Sequence, residues 1–176
     1  ALDANTTGDH NTSVGTSSLG ANTTASFNTA FGIETLKVNT TGTQNVAVGA
    51  LALDANTTAS NNTAVGYNSL GLNTTGTRNT ALGTLTLDAQ TTASDNTAVG
   101  STSLTANTSG VNNTAVGSTA LITNTTASNN TAIGAFSLQF NTTGTANTAV
   151  GLQSLQDNTT ASNNTAVGFN SLLQNT

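Results

Sequence analysis

The chain of 176 residues contains no cysteine, proline, methionine or tryptophan, and only 5% of its residues are charged. Without cysteine, the protein has neither disulfides nor thiolate metal ligands. Its two basic residues, Lys37 and Arg78, are too few to form the positive patch that binds nucleic acid or anionic lipid. No apolar run approaches the ~18 residues of a membrane-spanning helix. We therefore expect neither a nucleic-acid partner nor insertion into a membrane.

What the sequence has instead is a strict internal repeat of 17 residues. An Asn-Thr-Ala-Val-Gly box recurs ten times without insertion or deletion, from Asn11 to Asn164. With the box Asn as position 1, the unit is N-T-A-V-G-x-x-S-L-x-x-N-T-T-[AG]-[ST]-x. A fixed period of this kind is typical of stacked units that pack only on their neighbours. We interpret residues 1–176 as a single uninterrupted array and expect it to be a segment of a longer fibre.

The composition of the unit favours strands over helices. Glycine, β-branched residues and Asn-Thr pairs are poor helix formers, whereas short strands separated by corners fit the pattern. Stacked strands place equivalent side chains about 4.7–4.8 Å apart. The sequence thus predicts an all-β fold, a parallel β-solenoid (β-roll) with about one turn per 17 residues. Position 15 alternates strictly, from Gly8 and Ala25 to Gly144 and Ala161, which adds a 34-residue super-period and leaves a 34-residue turn as the alternative.

Two apolar columns are the predicted core, because position 4 is always apolar and position 9 is always leucine. The position 4 column comprises Val14, Phe31, Val48, Val65, Leu82, Val99, Val116, Ile133, Val150 and Val167. The position 9 column comprises Leu19, Leu36, Leu53, Leu70, Leu87, Leu104, Leu121, Leu138, Leu155 and Leu172.

An inward position 4 sends position 3 outward, since successive side chains of a strand alternate. Position 3 is almost always alanine, and an outward column restricted to so small a side chain indicates close packing by another chain. This candidate association face, through which the chain would form a homo-oligomer or filament, comprises Ala30, Ala47, Ala64, Ala81, Ala98, Ala115, Ala132, Ala149 and Ala166. The alternative is a tight interior that accepts only small side chains.

Position 12 is Asn in every unit except one, which has Gln90. Stacked amides are expected to form a ladder of hydrogen bonds. The predicted ladder comprises Asn22, Asn39, Asn56, Asn73, Asn107, Asn124, Asn141 and Asn158.

Hydroxyl side chains at positions 14 and 16 would stack into two ranks on one face. Such ranks resemble the ice-binding faces of some β-solenoid antifreeze proteins. They begin with Thr24, Ser26, Thr41, Thr43, Thr58, Ser60, Thr75 and Thr77.

No pattern predicts catalysis or a bound cofactor. The single histidine, His10, is expected to be an exposed bystander. Asp3, Asp54 and Asp88 share position 10, but that column also contains glycine and lysine, whereas a calcium-binding repeat has Asp in every turn. No Ser-His-Asp or paired-carboxylate arrangement repeats. We expect no enzyme, no metal site and no cofactor.

The string N-T-A-V-G-x-x-[SA]-L-x-x-N-T-T-G resembles repeats of phage tail-fibre and bacterial surface proteins that carry an endosialidase-type chaperone domain. More distantly, N-T-A-V-G is similar to the N-S-V-A-I-G box of trimeric autotransporter adhesin heads, although the present unit is longer. The resemblance implies an extracellular structural fibre or shaft, on a cell surface or a virion. Its partners would be further copies of itself and a cell-surface or glycan receptor. Ice binding is the alternative function.

Overall fold

The computed structural model describes residues 1–175, which are all-β and contain no helix. Ten three-residue strands form one parallel sheet in chain order. The strands are β1 (Thr12–Val14), β2 (Thr29–Phe31), β3 (Val46–Val48), β4 (Thr63–Val65), β5 (Thr80–Leu82), β6 (Thr97–Val99), β7 (Thr114–Val116), β8 (Thr131–Ile133), β9 (Thr148–Val150) and β10 (Thr165–Val167). Equivalent positions pair directly, as Ala64 of β4 does with Ala81 of β5. The predicted parallel β-solenoid with 17 residues per turn is confirmed, and a 34-residue turn is wrong.

Each turn contains three non-glycine residues in the left-handed backbone region, where the chain changes direction. Positions 7, 9 and 17 have positive φ; in the second turn, Glu34, Leu36 and Gln44 have φ of 56°, 48° and 59°. This conformation is unfavourable for residues with a side chain. Hydrogen bonds between turns stabilise it, because the Glu34 N–H donates to Thr16 O (2.8 Å) and the Leu36 N–H to Ala52 O (3.1 Å).

The glycine at position 5 ends each strand and has φ between 124° and 145°. At Gly32, an added Cβ would lie 2.7 Å from the carbonyl carbon of Gly49 in the next turn. Both the dihedral angle and the space exclude any other residue, which explains why this glycine is present in every box.

One leucine per turn, surrounded by small and amide side chains, fills the interior. The position 9 leucines from Leu19 to Leu155 have no exposed surface and lie where the sequence predicts, whereas Leu172 in the last turn is half exposed. The position 3 alanines from Ala30 to Ala149 are equally inaccessible.

The predicted orientation of the strand is wrong, because position 4 points outward and position 3 inward. Five members of the position 4 column are 40–69% exposed, namely Val14, Phe31, Leu82, Ile133 and Val167. The other five are half-buried, namely Val48, Val65, Val99, Val116 and Val150. The predicted association face, from Ala30 to Ala166, is instead part of the core.

The reason for this orientation is that the strand lies close to the opposite side of the solenoid, which contains position 8. The Ser69 Oγ at position 8 donates to Ala81 O at 3.2 Å, and the Ser103 Oγ donates to Ala115 O at 3.1 Å. A methyl group fits behind such a contact but an isopropyl group would collide with the opposite wall. The alternative interpretation, a tight interior for small side chains, is therefore the correct one for position 3.

The 34-residue super-period is an alternation between two versions of one corner. At Gly76, an added Cβ would overlap Ala93 O and lie 2.5 Å from Asn73 Oδ1. Turns with alanine at position 15 contribute the serine that follows it, and the Ser94 Oγ accepts the Thr77 N–H at 2.9 Å. A turn with glycine at position 15 therefore leaves room for the carbonyl oxygen of the alanine in the next turn, and that next turn supplies the serine that accepts its backbone N–H.

Candidate functional site

Residues 1–175 contain no pocket and no group of three or more His, Cys, Asp or Glu side chains placed to hold a metal ion. The same residues include no helix of the length and apolarity needed to cross a membrane. The candidate functional features are the ladders inside the solenoid and the columns on its surface.

The amides at position 12 form the predicted ladder through the interior. The Asn56 Nδ2 donates to Asn39 Oδ1 in the preceding turn (2.8 Å) and to Ala59 O in its own turn (3.1 Å). Each amide therefore joins two turns and also satisfies a corner carbonyl group. The same pair of bonds is made by Asn22, Asn39, Asn73, Asn107, Asn124, Asn141 and Asn158, with Gln90 accepting from Asn107.

A second amide ladder runs along the box asparagines at position 1. The Asn79 backbone N–H donates to Asn62 Oδ1 at 3.0 Å, and the Asn62 Nδ2 donates to Gly76 O at 2.9 Å. The box asparagines from Asn28 to Asn147 are buried, out of reach of water. Their side chains therefore provide the hydrogen bonds that the buried backbone N–H of the next box and the buried corner carbonyl group require. The signal in the sequence is that this asparagine occurs in all ten boxes.

The position 12 ladder has one fault, at Gln90. Its Nε2 donates to Ala93 O (3.0 Å), and its Oε1 accepts from Asn96 Nδ2 (3.1 Å) and Asn107 Nδ2 (3.4 Å). The longer side chain does not reach back to Asn73. Asn73 Oδ1 is consequently the only buried side-chain nitrogen or oxygen atom in residues 1–175 without a hydrogen-bond partner.

The two predicted hydroxyl ranks lie in different environments. The position 14 rank is exposed and includes Thr24, Thr41, Thr58 and Thr75. The position 16 rank is half-buried and includes Ser26, Thr43, Ser60 and Thr77. Its serines are structural acceptors, since Ser60 Oγ accepts the Thr43 N–H at 2.9 Å. The two ranks do not form one exposed hydroxyl surface.

The outer side of the sheet is a regular surface that extends over all ten strands. We call the residues at positions 2, 4 and 6 the sheet face. Position 2 is threonine in every box except one, which has Val46, and no residue at the three positions is charged. The face includes large exposed side chains, with Phe31, Ile33, Tyr67 and Phe169 between 52% and 68% exposed.

The charged side chains lie at other positions of the turn. Arg78 donates to both carboxylate oxygens of Asp95 at 2.6 and 2.9 Å, and this guanidinium lowers the pKa of Asp95. Partial burial raises the pKa of Asp54 and of Asp88. The charges are scattered over several turns and do not form a column.

The single histidine is exposed, as the sequence predicts. The His10 ring stacks on the Phe27 ring at a centroid distance of 4.9 Å and lies 3.3 Å from an Asp9 oxygen. Both rings occupy position 17 in successive turns, so the contact follows from the stacking itself.

Comparison with protein-family models, curated proteins and solved structures finds no match for this chain. The resemblance of the box to phage-fibre and adhesin repeats therefore stays a prediction.

Proposed function

We propose that this chain is a structural shaft segment of an extracellular fibre, on a phage particle or a microbial cell surface. The observation that carries the proposal is the continuity of the position 1 amide ladder and of the leucine column through successive turns, with the position 12 ladder interrupted once, at Gln90. Each turn uses its neighbours to satisfy its own buried polar groups, so the fold extends by repetition without new contacts.

The interior is suited to rigidity along the axis. Position 1 and position 12 amides each connect neighbouring turns, and each such bond contributes about 1 kcal/mol net. Stability in a stack of this kind is roughly a sum of turn and interface contributions. A rod built in this way keeps a constant cross-section, and the backbone hydrogen bonds between its turns oppose the local opening that proteolysis requires.

The rod dimensions provide a first test. Ten strands spaced by about 4.8 Å predict a length of about 48 Å. Small-angle X-ray scattering of the purified chain should give an elongated particle of that length, and limited proteolysis should leave the turns intact. A compact or disordered scattering profile would overturn the shaft proposal.

The biological role needs a second test. Immuno-electron microscopy of the source particles or cells, with antibody raised against the purified chain, should label the length of an external filament. Antibody pre-absorbed with the same chain is the control. Labelling confined to the cell interior would contradict the proposal, and glycan-array binding by the chain alone would make it an adhesin with its own receptor surface.

The ice-binding alternative would depend on the exposed position 14 threonines alone, because the position 16 hydroxyls are used inside the corner. Thermal hysteresis of a concentrated solution tests it directly. A shaft without ice affinity gives none.

A further inference from the structure

We propose that the sheet face is the lateral interface at which a second copy of this chain packs. The inference concerns the surface and goes beyond the shaft, whose evidence lies in the interior. A monomeric rod would leave the shaft proposal intact and overturn this one.

The sheet face is rich in exposed apolar side chains. Position 4 supplies a column of Val, Phe, Leu and Ile along the whole sheet, and position 6 adds Ile33, Tyr67, Leu152 and Phe169. These four are 44–68% exposed. Soluble monomers rarely expose a continuous apolar patch of more than a few hundred Å². The column is continuous because equivalent residues pair directly in every strand.

The sheet face carries no charged residue. The chain has nine Asp, Glu, Lys and Arg residues, and none occupies position 2, 4 or 6. Two such faces can meet without enclosing an unpaired charge, which would be costly to desolvate. Threonine at position 2 presents a methyl and a hydroxyl group and fits the polar rim of an interface.

The sheet face is large enough for a stable interface between two chains. Ten strands spaced by about 4.8 Å and five residues of about 3.3 Å each give a face of about 48 by 16 Å. Pairing of two faces then buries about 1,500 Å² in total, which lies within the range of stable, specific interfaces.

The regular spacing of the face identifies the occupant. The side chains of the face repeat with the axial spacing of the turns. Only a surface with the same spacing can place its own side chains between them at every turn. The sheet of a globular protein has this spacing over about 4–6 strands, whereas a second copy of this chain has it over ten strands and so matches the whole length of the face.

The test compares the natural chain with one charged variant inside the face and one outside it. Light scattering after size-exclusion chromatography should give twice the 17.3 kDa of one chain. Val65→Lys, in the centre of the face, should halve that mass, while Thr75→Lys at exposed position 14 should leave it unchanged. Circular dichroism establishes that both variants keep the fold.

Cysteine variants then test the face directly, because the natural chain has no cysteine. A thiol-reactive bismaleimide should join two copies of Phe31→Cys if the solenoids lie parallel, since equal turns then face each other. It should join copies of the Phe31→Cys, Val150→Cys double variant, and not of the single variant, if they lie antiparallel. Cross-linked dimer in either variant supports the inference.

A natural chain with the mass of a monomer, or a Val65→Lys variant that stays dimeric, overturns the inference. If the natural chain is monomeric and binds lipid vesicles or ice, and Val65→Lys abolishes that binding, the face belongs to that partner and the second copy is excluded.

Discussion

Positions 3 and 4 of the box are neighbours in the same strand, yet they obey different rules. Position 3 is buried and is alanine in nine of ten boxes, whereas position 4 is exposed or half-buried and varies among Val, Leu, Ile and Phe. The more hydrophobic column therefore lies outside. In this narrow interior the available volume selects the residue, and hydrophobicity alone does not indicate which side is the core.

The same contrast separates buried from exposed polar residues. The box Asn62 is inaccessible and makes hydrogen bonds to other turns, while its neighbour Asn61 is exposed at a corner with φ of 64°. Two asparagines adjacent in sequence thus have unrelated roles. Paired substitutions, one of a buried residue and one of an exposed neighbour, can measure how much each contributes to the free energy of unfolding.

The largest effect is expected for Asn62→Asp, which keeps the shape of the side chain but introduces a carboxyl group into the ladder. Burial raises the pKa of such a group by up to about 3–5 units, to between about 7 and 9, which corresponds to about 4 kcal/mol lost from the free energy of unfolding at neutral pH. Because the folded-state pKa is raised, the loss is full above that pKa and shrinks as the pH falls. Urea denaturation at neutral and acidic pH measures it.

Asn61→Asp is the matched control. Aspartate tolerates the left-handed corner, and the exposed carboxylate remains in water. We expect a change in unfolding free energy of less than about 0.5 kcal/mol. Similar destabilisation by the two substitutions would show that the ladder does not distinguish inside from outside.

The second comparison uses two leucines that lie two residues apart. Leu70 is inaccessible at position 9, and Leu72 is 53% exposed at position 11. Leu70→Ala should lower the free energy of unfolding by about 2–5 kcal/mol, since it removes the one large apolar side chain that its turn buries in the interior. Leu72→Ala should change it by less than about 0.5 kcal/mol. Equal losses in chemical denaturation would contradict the assignment of the core.

The third comparison tests the alternating corner. Gly76→Ala places a methyl group against Ala93 O and should cost about 1–3 kcal/mol through overpacking. Gly20→Ala has its nearest new contact at 3.3 Å, with Ser17 O, and should be neutral or stabilising by up to about 1 kcal/mol. Thermal denaturation of the two variants distinguishes them, and a tolerated Gly76→Ala would remove the steric account of the 34-residue period.

Strict periodicity predicts the parallel stack, the leucine column and the position 12 ladder, but it fits both a 17-residue and a 34-residue turn, and the direct pairing of equivalent strand positions decides between them. Periodicity does not predict which side of the strand faces the core. Alternation gives only the relation between neighbouring positions, and the orientation depends on the distance between the walls, as the Ser69 contact with Ala81 O shows. One feature of the sequence does indicate the orientation: position 4 varies among Val, Phe, Leu and Ile, whereas the buried positions 1 and 3 are almost constant as Asn and Ala.

The smallest expected effect concerns the one turn in which the ladder departs from its own pattern. Gln90→Asn shortens the side chain so that its Nδ2 can donate to Asn73 Oδ1, which is buried and unpaired. Satisfying that oxygen should raise the free energy of unfolding by about 1 kcal/mol. Asn124→Gln, two turns further on at a corner with the same alanine, should create the corresponding fault and lower it by a similar amount. Opposite shifts of the denaturation midpoint would show that the ladder requires the length of asparagine. A loss of stability in both variants would show that glutamine at position 90 stabilises its own turn as well as asparagine stabilises the others.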